Sequence, residues 1–335
     1  MTATPMTTTT VTELWRFPVK SMGGGRVDHV RVDTRGVHAD RLWAVRDLDK
    51  DITATARRIP ALLGCSARYA DEPGPDAGPG NAPPVVITLP DGSEHTSDDP
   101  RIHALLSEVA GRPVRLTALP PADDTSAHRL SVQQSRANFA AAEVRRDFGL
   151  AESDPLPDTS VFTTRQVLTL ARFSTPPGTF VDLSPVHLLS TNSLSALSAD
   201  GTPYDVRRFR PNILVTVEGA DSDFPEAEWT GATLQVGSSA LHVTIPTIRC
   251  AVPTRPQPGV DTDRALGRRL SDRTNRFLGV YVDVTTPGTV RIGDVVSVHR
   301  PTPPGALQRA AAAAGRTAKR RMQQVLEATV LRGQN

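Results

Sequence analysis

The fold class is set by residues 234–245, which read LQVGSSALHVTI. Apolar side chains alternate with polar ones on both sides of the turn residues Gly237-Ser238-Ser239, which is the pattern of two antiparallel strands joined by a hairpin. The chain then continues through residues 246–249 to Cys250. The segment therefore predicts a hairpin whose second strand ends close to a cysteine.

Two further segments carry the same signal. Residues 85–89, VVITL, lead into the turn dipeptide Asp91-Gly92, and residues 280–292 contain two alternating runs separated by Pro287-Gly288. Helical spacing of apolar residues is less frequent and predicts helices over residues 102–109, 131–148, 187–197 and 263–273. Because no regular β-α-β alternation is visible, the sequence predicts a strand-rich α+β fold of antiparallel barrel or sandwich type.

The composition narrows the class of protein. The 335 residues include 38 basic and 36 acidic side chains, a near balance that does not favour nucleic-acid binding. No stretch approaches the roughly 20 apolar residues of a membrane span, so membrane association is not expected. Only two cysteines, Cys65 and Cys250, are present, which argues against a disulfide framework and fits a reducing cytoplasm.

Turn-rich segments suggest where domains meet. Stretches rich in Pro, Asp and Ser at residues 120–124 and 153–158 place the boundary between two strand-rich units at about residues 120–160. After Pro301, an Ala-rich segment with clustered arginines predicts a basic helix over residues 305–332. That helix would pack on the body or stand partly in solvent, or it would dock to an acidic partner or a membrane surface.

Four segments combine turn chemistry with residues that can hold an anion, whereas zinc-type cysteine pairs, a Gly-x-Gly-x-x-Gly fingerprint and a P-loop are all absent. Residues 17–25, FPVKSMGGG, place a lysine and a hydroxyl before glycines whose backbone can approach a phosphate. Residues 36–43 place Asp40-Arg41 before an apolar strand, where the arginine would bind a phosphate or pair with a carboxylate. Residues 207–213, RRFRPNI, place three arginines before another strand.

The fourth segment is residues 245–254, IPTIRCAVPT, with Cys250 directly after Arg249. A neighbouring guanidinium lowers the pKa of a thiol, so the sequence predicts that Cys250 is a thiolate at an anion-binding site. The alternative is a buried small apolar residue, which is the usual role of a lone cysteine and suits Cys65 better.

Taken in order, these segments resemble the MOSC domain family with an N-terminal MOSC β-barrel domain, a family that includes amidoxime-reducing components. The resemblance runs from about residue 11 to residue 298. It is carried by residues 17–21, 39–41, 180–182 with 188–194, 208–213, 249–250 and 279–294. It implies domains at residues 11–120 and 161–300, joined by a helical linker at 121–160.

The resemblance also implies a molybdenum cofactor. In such proteins the cysteine that corresponds to Cys250 ligates molybdenum, and the molybdopterin dithiolene supplies two further sulfurs, so one protein thiolate is enough. Asp182 would donate a proton or orient the cofactor, unless it caps the helix near Leu188. The implied cofactor-binding residues are Lys20, Ser21, Arg41, Ser190, Thr191, Ser193, Arg208, Arg210, Asn212, Thr247 and Arg249.

The implied reaction is the two-electron reduction of N-hydroxylated or other N-oxygenated compounds, with the oxygen leaving as water. No cluster of cysteines for an iron–sulfur centre is present, so electrons would come from a separate flavin or iron–sulfur protein. Two other hypotheses stay open. One is a sulfur carrier with a persulfide on Cys250, and the other is a non-catalytic protein that binds a partner through the basic C-terminal helix.

Overall fold

The structure, a computed structural model, describes residues 7–301. Strands outnumber helices in this range, so the predicted strand-rich α+β class is confirmed. The strands are β1 (Thr8–Arg16), β2 (Gly25–Val27), β3 (His29–Asp33), β4 (Gly36–Val37), β5 (Trp43–Asp47), β6 (Ile52–Thr53), β7 (Ser66–Tyr69), β8 (Val85–Thr88), β9 (Glu94–Thr96), β10 (Val114–Ala118), β11 (Val186–Ser190), β12 (Ile213–Glu218), β13 (Thr233–Val236), β14 (Ser239–Ile248), β15 (Phe277–Thr286), β16 (Gly288–Arg291) and β17 (Val296–His299). The helices are α1 (Ile102–Ala110), α2 (Val132–Phe139), α3 (Ala141–Phe148), α4 (Thr164–Arg172), α5 (Thr191–Leu197) and α6 (Arg264–Thr274). The basic helix predicted at residues 305–332 lies outside the described residues.

An eight-stranded sheet in the order β17-β13-β14-β15-β11-β12-β1-β2 forms the largest element. The predicted hairpin is confirmed, because Leu234 of β13 pairs with Leu241 of β14. Alternate residues of β14 are buried, among them Val243 and Ile245. Each such side chain removed from water contributes about 1.5–3 kcal/mol to folding, which fixes the register of this strand and hence the position of Cys250 just beyond its end.

A second core lies in the N-terminal half. Two three-stranded sheets, β10-β5-β6 and β7-β8-β9, and helix α1 all contribute side chains to it, including Ile87 and Leu106. The hairpin predicted at residues 85–92 is confirmed by the pairing of β8 with β9. Cys65 is fully buried in this core, and burial raises the pKa of its thiol to about 11, which fits the inert role expected for it.

Three sequence predictions differ from the structure. Residues 280–292 do not form a hairpin, because β16 pairs with β3 of the N-terminal half instead of with β15. Residues 187–197 are not one helix but strand β11 followed by α5. The helix predicted over residues 131–148 is broken into α2 and α3 at Ala140, which has extended backbone. Helix α4 was not predicted.

Helices α2, α3 and α4, called the helical layer below, all contribute residues to one cavity beside the end of β14. Capping boxes at Ser131 and Thr163 start α2 and α4. The end of α3 is tied to the segment after Cys250, because the Ala251 N–H donates to the Asp147 carbonyl at 2.9 Å. Among residues 7–301, no helix is long and apolar enough to cross a membrane.

Candidate functional site

A cavity of about 110 Å³ lies where the N-terminal half meets the end of β14. Its wall brings together side chains that are far apart in the chain. From the set predicted by sequence it contains Lys20, Ser21, Arg41, Asp182, Arg208, Arg210, Asn212, Arg249 and Cys250. Six cationic side chains and a single carboxylate, Asp182, line it. This excess of positive charge makes the cavity suited to an anion.

Three residues of the wall have backbone strain. Ser21, Arg41 and Arg210 have φ of 71°, 54° and 56°, in the left-handed region that residues with a Cβ seldom adopt. Such conformations cost about 1–3 kcal/mol each and persist where the surrounding structure enforces them, often at binding sites. Their presence around one cavity indicates that it is built to place particular side chains.

Two of these strained residues share an aromatic platform. The guanidinium carbons of Arg41 and Arg210 lie 5.0 and 4.4 Å from the centre of the Phe17 ring. Asp40 pairs with Arg41 and accepts the Phe17 backbone N–H at 2.7 Å. Cation–π contacts of this kind fix the guanidiniums in place.

Arg210 is left short of partners. Its Nη1 donates to the Met22 carbonyl at 2.6 Å, while its buried Nη2 has no hydrogen-bond partner among the described residues. Burial lowers the pKa of Arg210 to about 9, and repulsion from Arg41 adds to this effect. An anion that accepted from Nη2 would relieve both the missing hydrogen bond and the repulsion.

Lys20 and Asp182 form an ion pair on another part of the wall, in which Lys20 is buried and the Asp182 side chain is largely exposed. The Lys20 Nζ donates to Asp182 Oδ1 at 2.5 Å and to the Phe180 carbonyl at 2.9 Å. Partial loss of water around Asp182 opposes its ionisation, but Lys20 and Arg57 outweigh this effect and lower the pKa of the carboxyl. Helix α5 is capped by Ser190, so the alternative role of Asp182 as a helix cap is wrong.

Arg208, Arg249 and Asn212 line the cavity but use their polar atoms to hold the backbone. Arg208 donates to the Pro253 and Asp261 carbonyls at 3.0 and 2.6 Å. Arg249 donates to the Leu278 and Phe209 carbonyls at 2.8 and 3.1 Å and contacts the His187 ring. Asn212 links β11 to β1 through His187 N–H and the Trp15 carbonyl. We therefore interpret these three as supports of the cavity wall.

Cys250 is partly exposed at the cavity, two residues beyond β14. Burial raises the pKa of its thiol, and the positive charge of Arg57 with the Val252 N–H offsets only part of that effect. Arg249 lowers the pKa of the thiol as the sequence predicts, but burial outweighs it, so the thiolate form of Cys250 stays a prediction. A cation bound at the sulfur would have to supply the missing stabilisation of the deprotonated form.

Four predicted binding residues do not line this cavity. The hydroxyls of Ser190 and Ser193 donate to the buried carboxylate of Glu226 at 2.6 and 2.7 Å. Thr191 bonds to Thr216 at 2.9 Å. Thr247 is buried just before the cavity-lining Ile248, and its hydroxyl oxygen has no hydrogen-bond partner among the described residues. The sequence pattern could not show which face of each strand bears the site.

Sequence reasoning missed Arg57 and Tyr281. Arg57 lines the cavity, and although burial opposes its charge, Asp182 and then Cys250 raise its pKa. The adjacent arginines Arg57 and Arg58 are the signal in the sequence that could have drawn attention to this segment, as the arginines of residues 207–213 did. The glycines at 23–25 have another role: a Cβ at Gly24 would lie 2.2 Å from the Arg16 carbonyl oxygen, so close chain packing requires glycine there.

The side chains also limit how a metal would be held. Residues 7–301 contain no group of three or more His, Cys, Asp or Glu side chains placed to bind one ion. A metal at Cys250 would thus take its other ligands from a cofactor. A cofactor that brings sulfur ligands and carries negative charge matches a single thiol surrounded by cations.

Two known protein families match successive parts of the chain. Residues 8–136 match the family described as MOSC N-terminal beta barrel domain, and residues 176–297 match the MOSC domain. The first match confirms the predicted N-terminal β-barrel domain. The domain limits at residues 120 and 160 stay a prediction.

Curated relatives align over most of the chain. The chain is 27% identical to mitochondrial amidoxime reducing component 2 of Bos taurus, over 86% of this chain and 82% of the relative. It is 25% identical to mitochondrial amidoxime-reducing component 1 of Mus musculus, over 86% and 81%. A solved structure, the YUAD protein from Bacillus subtilis, covers 89% of this chain and 98% of its own, with 12% identity and a TM-score of 0.40.

Proposed function

Because the chain belongs to the MOSC family, with a MOSC N-terminal β-barrel domain before a MOSC domain, we propose that it is a molybdenum-cofactor oxidoreductase. In this proposal it reduces N-hydroxylated or other N-oxygenated compounds with electrons from a separate donor protein. The names of the amidoxime-reducing relatives support this substrate class. Low cysteine content still favours a reducing compartment such as the cytoplasm.

The observation that carries the proposal is the composition of the cavity at Cys250. One thiol lies among six cationic side chains, and residues 7–301 contain no cluster of side chains that could bind a metal ion by itself. An ordinary protein metal site needs three or four side-chain ligands. A thiol in cationic surroundings fits a metal that arrives with an anionic, sulfur-donating cofactor.

The side chains divide into those that would hold the cofactor and those that would hold the wall. Lys20, Ser21, Arg41 and Arg210 would bind the pterin and its phosphate, since their polar groups converge on the cavity. The unpartnered Nη2 of Arg210 is the strongest candidate for a direct contact. Arg208, Arg249 and Asn212 would act through the backbone that they position.

When bound, the molybdenum cofactor would supply the two-electron oxygen-atom chemistry. Loss of the oxygen as water also needs protons, and the buried Lys20, paired with Asp182, can hold one. Burial lowers the pKa of Lys20 although Asp182 opposes this, so its Nζ releases a proton more readily than an exposed lysine does. Lys20 Nζ would pass its proton into the cavity, and the ionised Asp182, which accepts from Nζ, would hold the ammonium in position.

The proposal is tested with freshly purified protein and a chemical electron donor, reduced methyl viologen. We expect about one molybdenum and one pterin per chain and conversion of N-hydroxybenzamidine to benzamidine. Asp182→Asn should lower kcat at least tenfold with the metal content unchanged. A metal-free chain that carries a labile extra sulfur on Cys250 would instead establish the sulfur-carrier hypothesis and reject the reductase.

A further inference from the structure

A second, larger cavity of about 250 Å³ also opens onto Cys250. The residues that it shares with the cationic cavity described above are Thr55, Arg57, Asp182, Ile248, Cys250 and Tyr281. Its remaining wall is formed largely by apolar side chains of the helical layer. We call these the aromatic wall; they are Phe139, Phe148, Phe162 and Phe173.

The two cavities differ in charge. The cationic cavity has six basic side chains and one carboxylate, whereas the second cavity has three carboxylates balanced by three basic side chains. An anion therefore gains little in the second cavity. Its aromatic wall instead favours an apolar ligand, because burial of apolar surface is the main source of affinity there.

The aromatic wall is fixed beside the cysteine. The backbone at Phe148 is fixed by two hydrogen bonds. Arg276 Nη1 donates to the Phe148 carbonyl at 3.1 Å, and the Ala251 N–H donates to the carbonyl of the neighbouring Asp147. The Phe173 backbone forms a bridge to Arg129 at the start of the helical layer. A ligand packed on this wall would thus lie next to the atom that anchors the cofactor.

Asp147 gives this cavity a polar group beside the cysteine. The residue is only 5% exposed, yet its Oδ1 has no hydrogen-bond partner among the described residues. Arg57 and Arg58 approach the carboxylate at 3.4 and 3.5 Å, which is ion-pair distance without hydrogen-bond geometry. Oδ1 can therefore accept an N–H from a bound molecule.

We propose that this second cavity is the substrate chamber and that it selects N-oxygenated compounds with a flat, apolar, ring-sized body. The proposal rests on the reductase function proposed above and names the substrates that the same site prefers. The ring packs on the aromatic wall, and the nitrogen-bearing group lies towards Cys250, with an N–H donated to Asp147.

Binding of two product-type amidines tests the chamber independently of turnover. With the cofactor-loaded protein, calorimetry should show that benzamidine binds at least tenfold more tightly than acetamidine, which lacks the ring. Phe139→Ser should reduce that preference at least threefold, since Phe139 lines the mouth of the chamber and is itself 51% exposed, so the fold tolerates the change. Val132→Ser is the matched control, because Val132 is an exposed apolar residue of the same helix that does not line the chamber.

Asp147→Asn provides a second arm and should weaken both amidines to a similar degree, because both carry the same N–H groups. Equal affinities of the two amidines for the wild-type protein, or the same loss of preference in Phe139→Ser and Val132→Ser, would overturn the chamber.

Reduction of hydroxylamine, which has no body to place on the wall, separates this inference from the proposed function. If hydroxylamine is reduced but the preference for benzamidine is absent, the chamber is wrong and the reductase stands. If benzamidine is preferred but no N-oxygenated compound is reduced, the proposed function is wrong, and with it the assignment of this cavity to a substrate.

Discussion

At the scale of single residues, the site keeps like charges close together. Arg41 and Arg210 lie against the same Phe17 ring, and the buried Nη2 of Arg210 lacks a hydrogen-bond partner in the described part of the chain. Both residues also have left-handed backbone. Arrangements that cost stability without an evident structural gain are typical of binding sites. We therefore expect stability and cofactor retention to respond in opposite directions when Arg210 is changed.

Arg210→Met should stabilise the cofactor-free protein by about 1 kcal/mol or more, because it removes a buried, repelled charge and leaves an apolar chain on Phe17. The same change should lower the pterin retained per chain at least tenfold, since an anion loses its partner. Urea unfolding and fluorescence of the released, oxidised pterin measure the two effects.

Arg207→Met is the control for this pair of measurements. Arg207 forms an ion pair with Asp205, and it does not line the cationic cavity. Its loss should leave pterin content unchanged. A fall in both stability and pterin content for Arg210→Met would show that Arg210 is only structural.

A second residue-scale prediction concerns His128, which is fully buried, with Nδ1 2.8 Å from the Thr175 hydroxyl. Burial lowers its pKa, Arg46 adds to this, and Asp124 opposes it. The unfolded chain then binds a proton near pH 6.5 that the folded chain resists. Stability should be complete above that pH and fall as pH decreases below it, by up to about 1.4 kcal/mol per pH unit.

Urea unfolding of wild type and His128→Gln at pH 7.5, 6.0 and 5.0 measures this effect. The slope of stability against pH should be smaller in His128→Gln, whereas His29→Gln, a change at an exposed position of β3, should keep the wild-type slope. Identical slopes in all three proteins would contradict the assignment.

At the scale of elements, sequence patterns predict strands better than their partners. Alternation correctly identifies β13 with β14 and β8 with β9, because a tight turn forces neighbours in the chain to pair. Alternation does not predict the partner of β16. This strand pairs with β3, which is far away in the sequence, and no local pattern indicates that pairing. Alternation also fails for β11, since all five of its residues are buried and a continuous buried run has no alternation.

The same limit applies to the site. The types of residue could be predicted, because cations, a thiol and turn residues stand out in the sequence. The directions in which these side chains point could not be predicted. Arg249 is adjacent to Cys250 but donates to backbone carbonyls and contacts His187. Arg57, nearly two hundred residues away in the sequence, instead supplies the positive charge that most lowers the pKa of the thiol.

Gly279 packs against His187, whose side chain lines the cationic cavity. It lies in β15 with φ of 74°, and a Cβ there would stand 2.5 Å from His187 Nε2 and 2.7 Å from the Leu188 carbonyl oxygen. Gly279→Ala should therefore destabilise the protein by about 2 kcal/mol or more, since it combines backbone strain with a clash at β11.

Gly293→Ala is the matched control, because Gly293 has φ of 90° but no atom within 4 Å of the added Cβ. Gly293→Ala should lower the free energy of unfolding only by the cost of placing an alanine in left-handed backbone, about 1–2 kcal/mol. Thermal or urea unfolding compares the two variants. An equal or smaller loss in Gly279→Ala would show that β15 and β11 can separate without cost.

At the scale of the whole molecule, the two halves share their sheets. Strand β1, from the N-terminus, lies between β12 and β2 in the eight-stranded sheet, and β16, near residue 290, pairs with β3. The cationic cavity likewise combines Lys20 and Arg41 with Arg210 and Cys250. The two halves are therefore not structurally independent domains.

Division of the chain at residue 160 tests this interdependence. Residues 161–335 alone should lack cooperative unfolding, because β12 loses its partner β1 and exposes an unpaired, apolar edge. Co-expression with residues 1–160 should restore a soluble complex, which gel filtration and circular dichroism detect. Cooperative unfolding of residues 161–335 alone would show that the second half folds on its own.

The central claim is that Cys250 is the one protein ligand of a molybdenum cofactor, and metal analysis tests it most directly. Molybdenum and pterin per chain should be about one in the wild type and in Cys65→Ala, and below about a tenth in Cys250→Ser, with the folded content of all three equal by circular dichroism. Full molybdenum retention in Cys250→Ser, or its absence from freshly purified wild type, would contradict the account.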